Sequence, residues 1–196
     1  VRLNPSAIST VAKFGSTCLT AALTSTSQDT YASSTVGVRL VNPVDVIAFV
    51  LASHPEAADV LNDQGRFPLH MALRADTCDV NVELTVKLLA TPERVTRKLA
   101  NGECSLHIAA ANRCSVYVLR HLHALGRISG HNLASSPSEQ GLLPLHSALA
   151  AGAKDGHAQI EELYTQYPDA VVKPTADGCT CLHLCLRHKV PVETTR

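Results

Sequence analysis

Apolar residues return along this chain in a short fixed phrase. Gly15 opens GSTCLTAAL, Gly65 opens GRFPLHMAL, Gly102 opens GECSLHIAA, Gly141 opens GLLPLHSAL and Gly178 opens GCTCLHLCL. Each phrase has Leu four residues after the Gly and a small residue, Ala or Cys, seven after it. The glycines are 50, 37, 39 and 37 residues apart. A second marker keeps the same phase: Pro5, Pro55, Pro92 and Pro168 each stand ten residues before a phrase glycine, and His131 holds the remaining slot. The unit is therefore about 37 residues long, with 13 inserted in the first full copy and 2 in the third.

Each unit reads as two helices. The first begins in the phrase, where apolar residues three and four apart define one face. The second precedes the proline, and its apolar pairs Ile47 and Leu51, Leu84 and Leu88, Ile160 and Tyr164 lie four apart. Proline then stops the helix, because its ring crowds the preceding turn and it has no N–H. In PEAA (55–58) and PDAV (168–171) the same proline opens one more turn, where Pro and an acid both suit the first positions. A polar link leads to the next glycine, which supplies a positive φ for a tight turn. The expectation is an all-α array: residues 1–14 ending one unit, a unit 15–64 carrying an insertion at 24–42, units 65–101, 102–140 and 141–177, and a partial unit 178–196.

Gly, then Leu-His, then Ala, followed by a second helix and a turn, resembles the ankyrin repeat, whose signature is G-x-T-P-L-H-x-A. The matches are best at Gly65, Pro68, Leu69, His70, Ala72 and at Gly141, Pro144, Leu145, His146, Ala148, followed by Gly102, Leu106, His107, Ala109. The signature Thr survives as Thr17 and Thr180 and gives way to Phe67, Cys104 and Leu143. Thr20 replaces the first His, and Cys185 the last Ala. The unit also exceeds the usual ~33 residues, and its His-Pro and Tyr-Pro endings are similar to divergent ankyrin repeats of unicellular eukaryotes. The resemblance implies a solenoid of stacked antiparallel helix pairs joined by projecting hairpins, binding proteins along one side without catalysis. It also implies that His70, His107, His146 and His183 bond local backbone and tie each hairpin to its neighbour, beside the turn glycines Gly65, Gly102, Gly141 and Gly178.

Composition narrows the function. Apolar residues are 45% and charged residues 17%, enough for a real core, while aromatics at 4% and the absence of Trp suit helices built on Leu and Ala. Seventeen basic and 17 acidic residues cancel, and the densest basic cluster, Arg94, Arg97 and Lys98, is small. Nucleic acid is therefore not expected as the main partner. Seven cysteines without a secreted pattern point to reduced thiols in an intracellular, cytoplasmic setting. No apolar run approaches the ~20 residues of a membrane span.

The reactive-looking groups have simpler explanations. The four phrase histidines fall on successive units and cannot converge on one substrate; a neutral imidazole, with one donor and one acceptor, suits a structural bridge. Cys179, Cys181, His183, Cys185 and His188 form a tempting metal cluster, yet on a helix 181 and 185 share a face that 183 does not. The register already explains Cys185 as a small buried residue. No phosphate-binding loop or nucleophile motif is present, Glu161-Glu162 reads as a solvated helix face, and no cofactor is expected. The insertion TSTSQDTYASST (24–35) has eight Ser or Thr in twelve residues and reads as a surface loop or a partner contact.

The expected role is a protein–protein interaction scaffold, a subunit or segment of a larger assembly. RLNP at the start and VPVETTR at the end look like interior sequence, so the ends are expected to continue into further units or to meet a partner. The alternatives are the recognition region of a larger enzyme or channel, or a metal- or redox-responsive repeat at 179–188. The partner face would use the hairpin tips Asn62, Asp63, Gln64, Arg66, Asn101, Glu103, Glu139, Gln140, Leu142 and Asp177. Groove positions Met71, Arg74, Ile108, Ala111, Ser147 and Arg187 would join them, with Leu142, Met71 and Ile108 as an exposed apolar strip.

Overall fold

The computed structural model describes residues 43–74, 80–152 and 156–188. The first phrase, the Ser/Thr-rich insertion, Cys18 and Cys78 lie outside these residues. Among the described residues there are nine α-helices, three 3₁₀ turns and no β-strand, apart from one isolated bridge between Lys98 and Cys104. The fold is all-α. The chain divides into two compact units between Leu89 and Ala90, inside the expected unit 65–101.

In the first unit, α1 (Pro43–Ser53) leads into a 3₁₀ turn (Pro55–Asp59), then α2 (Pro68–Ala72) and α3 (Val80–Leu89). His54, before Pro55, is held at φ −143° and ψ 76°, because the proline ring excludes the helical region for its predecessor. Val44, Ile47 and Val50 of α1 and Val82, Val86 and Leu89 of α3 are buried with Leu69 and Leu73. The helices pack α1 on α3 and α2 on α3.

In the second unit, α4 (Pro92–Val95), α5 (Ser105–Ala111), α6 (Val116–Ile128), α7 (Pro144–Ala150), α8 (His157–Gln166) and α9 (Cys181–Arg187) follow one another. The 3₁₀ turns Leu133–Ser135 and Pro168–Val171 sit before the third and fourth hairpins. Helix α5 packs on α7, α7 on α9 and α6 on α8, while α5 and α7 also pack on α6 and α8 respectively. Ala109 and Ala148, both buried, sit on these short helices and let their backbones approach. Each fully buried leucine, such as Leu106, Leu119 or Leu122, contributes about 1.5–3 kcal/mol relative to exposure.

The copy lacking the proline marker ends its helix by other means. Gly130 takes φ 77°, its N–H reaches Arg127 O at 3.0 Å, and His131 N–H reaches Gly126 O at 2.9 Å. This double closure is the Schellman motif, a glycine stop in place of a proline stop. Asn132 Oδ1 then accepts from Ala134 N at 3.1 Å and starts the 3₁₀ turn two residues beyond the usual slot. The same closure appears between helices at Arg113, where φ is 55°: Cys114 N–H reaches Ala109 O and Arg113 N–H reaches Ala110 O. Eleven residues after its own phrase glycine, Gly152 repeats the positive φ at 78°.

Two expectations about helix faces are corrected. Leu84 and Leu88 are 41% and 39% exposed and Tyr164 is 48% exposed. The buried face of α3 runs instead through Val82, Thr85, Val86 and Leu89, the i, i+3, i+4, i+7 stripe. An i, i+4 pair alone fixes a face but not which side faces the core. Glu162 is also not a solvated charge: its carboxylate lies 2.7 Å from Arg120 Nε and accepts from Gln166 Nε2 at 3.1 Å.

The four described phrase glycines all take a positive φ, and Gly102 and Gly141 combine it with close packing. Gly102 has φ 76°, and an added Cβ would sit 2.7 Å from Glu139 N. At Gly178, φ is 74° but nothing lies within 4 Å of the Cβ position. Gly178→Ala is expected to cost about 1 kcal/mol from backbone strain alone, and Gly102→Ala about twice that or more because the next hairpin must also shift. Urea denaturation of the two variants checks this, and equal losses would contradict it.

Candidate functional site

Four hairpins of one geometry carry the surface that the sequence marked for recognition. In each, the glycine N–H bonds the carbonyl three residues back, and the N–H of that residue bonds the carbonyl just after the glycine. The pairs are Gly65 N to Asn62 O and Asn62 N to Arg66 O, at 2.9 and 3.0 Å, then Gly102 N to Leu99 O and Leu99 N to Glu103 O, at 2.9 and 2.8 Å. Gly141 N to Ser138 O and Ser138 N to Leu142 O follow at 3.0 and 2.9 Å, and Gly178 N to Thr175 O and Thr175 N to Cys179 O at 2.9 and 2.8 Å. A tight turn closed by a left-handed glycine is the three-residue hairpin loop with a glycine bulge.

A side chain three residues before the glycine reinforces three of these turns. Asn62 Oδ1 accepts from Arg66 N at 2.9 Å, Ser138 Oγ from Leu142 N at 3.2 Å and Thr175 Oγ1 from Cys179 N at 3.2 Å. Leu99 occupies this slot in the other copy, and Asn101 Oδ1 takes over, accepting from Glu103 N at 3.2 Å. Sequence reasoning missed this slot. The Asn, Ser or Thr three residues before Gly65, Gly141 and Gly178 was its visible signal, since such side chains bond nearby backbone in turns.

In the second unit the hairpins dock on one another through backbone. Glu139 N donates to Asn101 O at 3.0 Å, and Ala176 N donates to Gln140 O at 2.9 Å, at the same register one repeat on. The tips therefore stand as a row. Asn101, Glu139, Gln140 and Asp177 are exposed on it, and Glu103 and Leu142 are half-buried. In the first unit Asp63 and Gln64 are exposed and Arg66 half-buried. Asn62 is held inside its turn, and its Nδ2 also lies 3.5 Å from Met71 Sδ.

The groove positions are less uniform. Arg74, Ala111 and Arg187 are exposed and Met71 is half-buried. Ile108 is 3% exposed and Ser147 is 7% exposed. The expected apolar strip of Leu142, Met71 and Ile108 is corrected accordingly: Ile108 belongs to the α5–α7 core, because its helix packs directly on the next phrase helix.

One phrase histidine, His107, bridges two backbone groups, and two others bond local backbone. His107 Nδ1 accepts from Cys104 N at 3.2 Å, and Nε2 donates to Leu142 O at 2.8 Å. That pattern requires the neutral tautomer with its proton on Nε2. His146 Nδ1 accepts from Leu143 N at 3.1 Å, whereas its Nε2 is buried without a hydrogen-bond partner. His183 Nδ1 accepts from Thr180 N at 3.3 Å and is exposed. His70 is fully buried, with the Phe67 ring edge-on to it at 5.7 Å. Desolvation, above all, holds His107 and His146 below the ordinary value of 6.5.

Cys104, Cys181 and Cys185 are held as thiols, each raised chiefly by desolvation. Cys104 is fully buried, its Sγ 3.1 Å from His107 Nδ1, and desolvation raises its pKa. Cys181 is pushed up to about 12 by desolvation and by Cys185 beside it, and its thiol lies 3.5 Å from Ala170 O. Cys181 and Cys185 are buried, Cys179 is half-buried, and His183 and His188 are exposed. Among the described residues no three His, Cys, Asp or Glu side chains are placed to hold a metal ion. Nor is any helix among them long and apolar enough to cross a membrane. No family model matches the chain, and no curated protein matches it.

Replacing His107 by Leu strands the Cys104 N–H and the Leu142 carbonyl, and is expected to cost about 1–3 kcal/mol. The same change at exposed His183 is expected to cost under about 1 kcal/mol. Denaturation curves of the two variants separate these values. Because both buried rings are more basic when unfolded, their stabilisation is complete above the unfolded value and fades as the pH falls through the lowered folded values. The urea midpoint of the native chain should hold steady above about pH 7 and decline below about pH 6.5, with a smaller decline in a His107→Gln, His146→Gln variant. A midpoint indifferent to acid over this range would contradict the assignment.

Proposed function

We propose that this chain is a non-catalytic protein–protein interaction scaffold built of divergent ankyrin-type repeats, acting as a subunit or segment of a larger assembly. The observation that carries the reading is the row of hairpins. Each turn is closed by two backbone bonds, and in the second unit a further bond joins each hairpin to the next, so what they offer outward is chiefly side chain. The groups offered along the row in the second unit, Asn101, Glu139, Gln140 and Asp177, are polar and differ from copy to copy on a constant frame, and the first unit's hairpin offers Asp63 and Gln64 by the same turn geometry. That is the arrangement of a recognition surface whose specificity lies in the variable letters.

The chemistry of the buried groups favours the same reading. A nucleophile needs an accessible thiolate or hydroxyl beside a base, whereas Cys104 and His107 are sealed from solvent and kept in their neutral forms. Recognition for a larger enzyme or channel would use the same tips, with the active domain elsewhere.

The test is affinity purification of the tagged chain with mass spectrometry, beside an Asp63→Lys, Glu139→Lys, Asp177→Lys variant. All three side chains are exposed, so the variant should melt like the parent. The expected result is a reproducible protein partner that the variant loses. A chain that captures no protein, or a variant that captures the same set, would overturn the reading.

A further inference from the structure

One side chain fastens the third hairpin to the second. His107 lies in the first turn of α5, just after the Leu99–Glu103 turn. Its Nδ1 accepts from Cys104 N at 3.2 Å, and its Nε2 donates to Leu142 O, in the Ser138–Leu142 turn, at 2.8 Å. The same two turns share the bond from Glu139 N to Asn101 O at 3.0 Å, and Lys98 Nζ donates to Pro137 O at 3.1 Å beside it. The ring itself is fully buried.

A second proton on this ring finds no partner in the docked state. It would sit on Nδ1 and face the Cys104 N–H, a donor against a donor. The Cys104 sulfur, 3.1 Å from Nδ1, is a weak acceptor in a dry site. Burial opposes the charge most, and Lys98 beside the preceding hairpin and His146 on α7 oppose it too, while the Leu142 carbonyl and Glu103 favour it. Helix α6, which packs on α5, adds apolar Val118, Leu119 and Leu122 to the core, and Glu139 stands exposed on the docked turn. Water can reach the ring by two routes. Parting α5 from α7 uncovers Leu106, Ile108, Leu145 and Leu149, all buried. Lifting the Ser138–Leu142 turn breaks a few hydrogen bonds of small net strength, and its tip residues Glu139 and Gln140 are already exposed. The second route uncovers less apolar surface and is the easier one.

We propose that this joint is an acid-operated latch: a proton taken up on His107 Nδ1 releases the Ser138–Leu142 turn from the Leu99–Glu103 turn while α5 and α7 stay packed. At neutral pH the latch is shut and the spacing of Asn101 from Glu139 is fixed; in acid that part of the row comes apart. The open turn lets the ring titrate at its ordinary value and the shut turn holds it neutral, so the open population rises as the pH falls. The acid loss of folding stability concerns the whole chain, whereas this opening is local and precedes it. It goes beyond the scaffold reading and does not depend on it.

Amide hydrogen exchange of the 196-residue chain, followed by NMR, tests it. The reporter is the Glu139 N–H, bonded to Asn101 O in the docked state, and its protection factor removes the pH dependence of the exchange chemistry. With an open ring titrating at about 6.5, the open population rises about tenfold between about pH 7.5 and about pH 5.5, and Glu139 protection should fall by that factor. The opening should be nearly indifferent to dilute urea, because little surface is exposed, whereas exchange at Leu122 in α6 should be slower and respond to urea. His107→Gln should abolish the pH response at Glu139. In the native chain at neutral pH, the ring nitrogens of His107 should show the neutral form with its proton on Nε2. Glu139 and Leu122 exchanging together with one urea dependence, a ring carrying its neutral-pH proton on Nδ1, or a tenfold response that survives His107→Gln would overturn the proposal. The first two results are read on the native chain and need no variant.

Discussion

Backbone docking of one hairpin on the next is the constraint from which the second unit follows. Glu139 N and Asn101 O can meet at 3.0 Å only if nothing projects between the turns. At Gly102 even a methyl group would lie 2.7 Å from the partner nitrogen. The glycine therefore answers two demands at once, a left-handed φ and an absent side chain. Once the turns dock, the spacing of the helices that follow them is set. Each helix begins three residues after its glycine, at Ser105, Pro144 and Cys181.

The histidine completes that joint from the side. His107 ties the start of its own helix to the next hairpin through opposite ring nitrogens. Charge on the ring would put a proton on the nitrogen that must accept, so the joint depends on a neutral imidazole. His146 shows how sensitive the geometry is. It makes the local bond, but its outer nitrogen finds no hydrogen-bond partner. The carbonyls of Ala170 and Lys173 lie near enough to favour its proton without meeting bonding geometry. The last joint is thus less complete than the one before it. Cysteine at 104 stands where threonine stands at 180, and each places its side-chain atom about 3 Å from the same histidine nitrogen. The smaller polarity of a thiol is tolerated because that site is dry.

Helix termination shows one requirement met by different residues. Pro92 and Pro168 open short turns after Thr91 and Tyr167, and Gly130 with Asn132 does the same work in the copy that lacks a proline. The extra residues of that copy are those needed to complete a Schellman closure before the turn begins. An apparently irregular spacer is accounted for by backbone hydrogen bonds.

Much of this was legible in the residues. Period, turn glycines, helix starts and the proline-led turns follow from local rules: φ preference, ring sterics and the reach of one side chain to its own backbone. These act over a few residues and leave a direct mark on the sequence. The histidines were visible as a recurring letter, but their burial at 70, 107 and 146 and exposure at 183 were not. What local rules could not decide was which side of a helix faces inward. Leu84, Leu88 and Tyr164 have the spacing of a core face and lie outside, while Thr85 and Ile108 lie within. Burial depends on the rotation of each helix against its neighbours, a sum over many weak contacts from distant parts of the chain. For the same reason Leu182 reads like Leu106 and Leu145 in sequence. Only the tertiary structure, by placing a neighbour against two of them and leaving the third open, made them different.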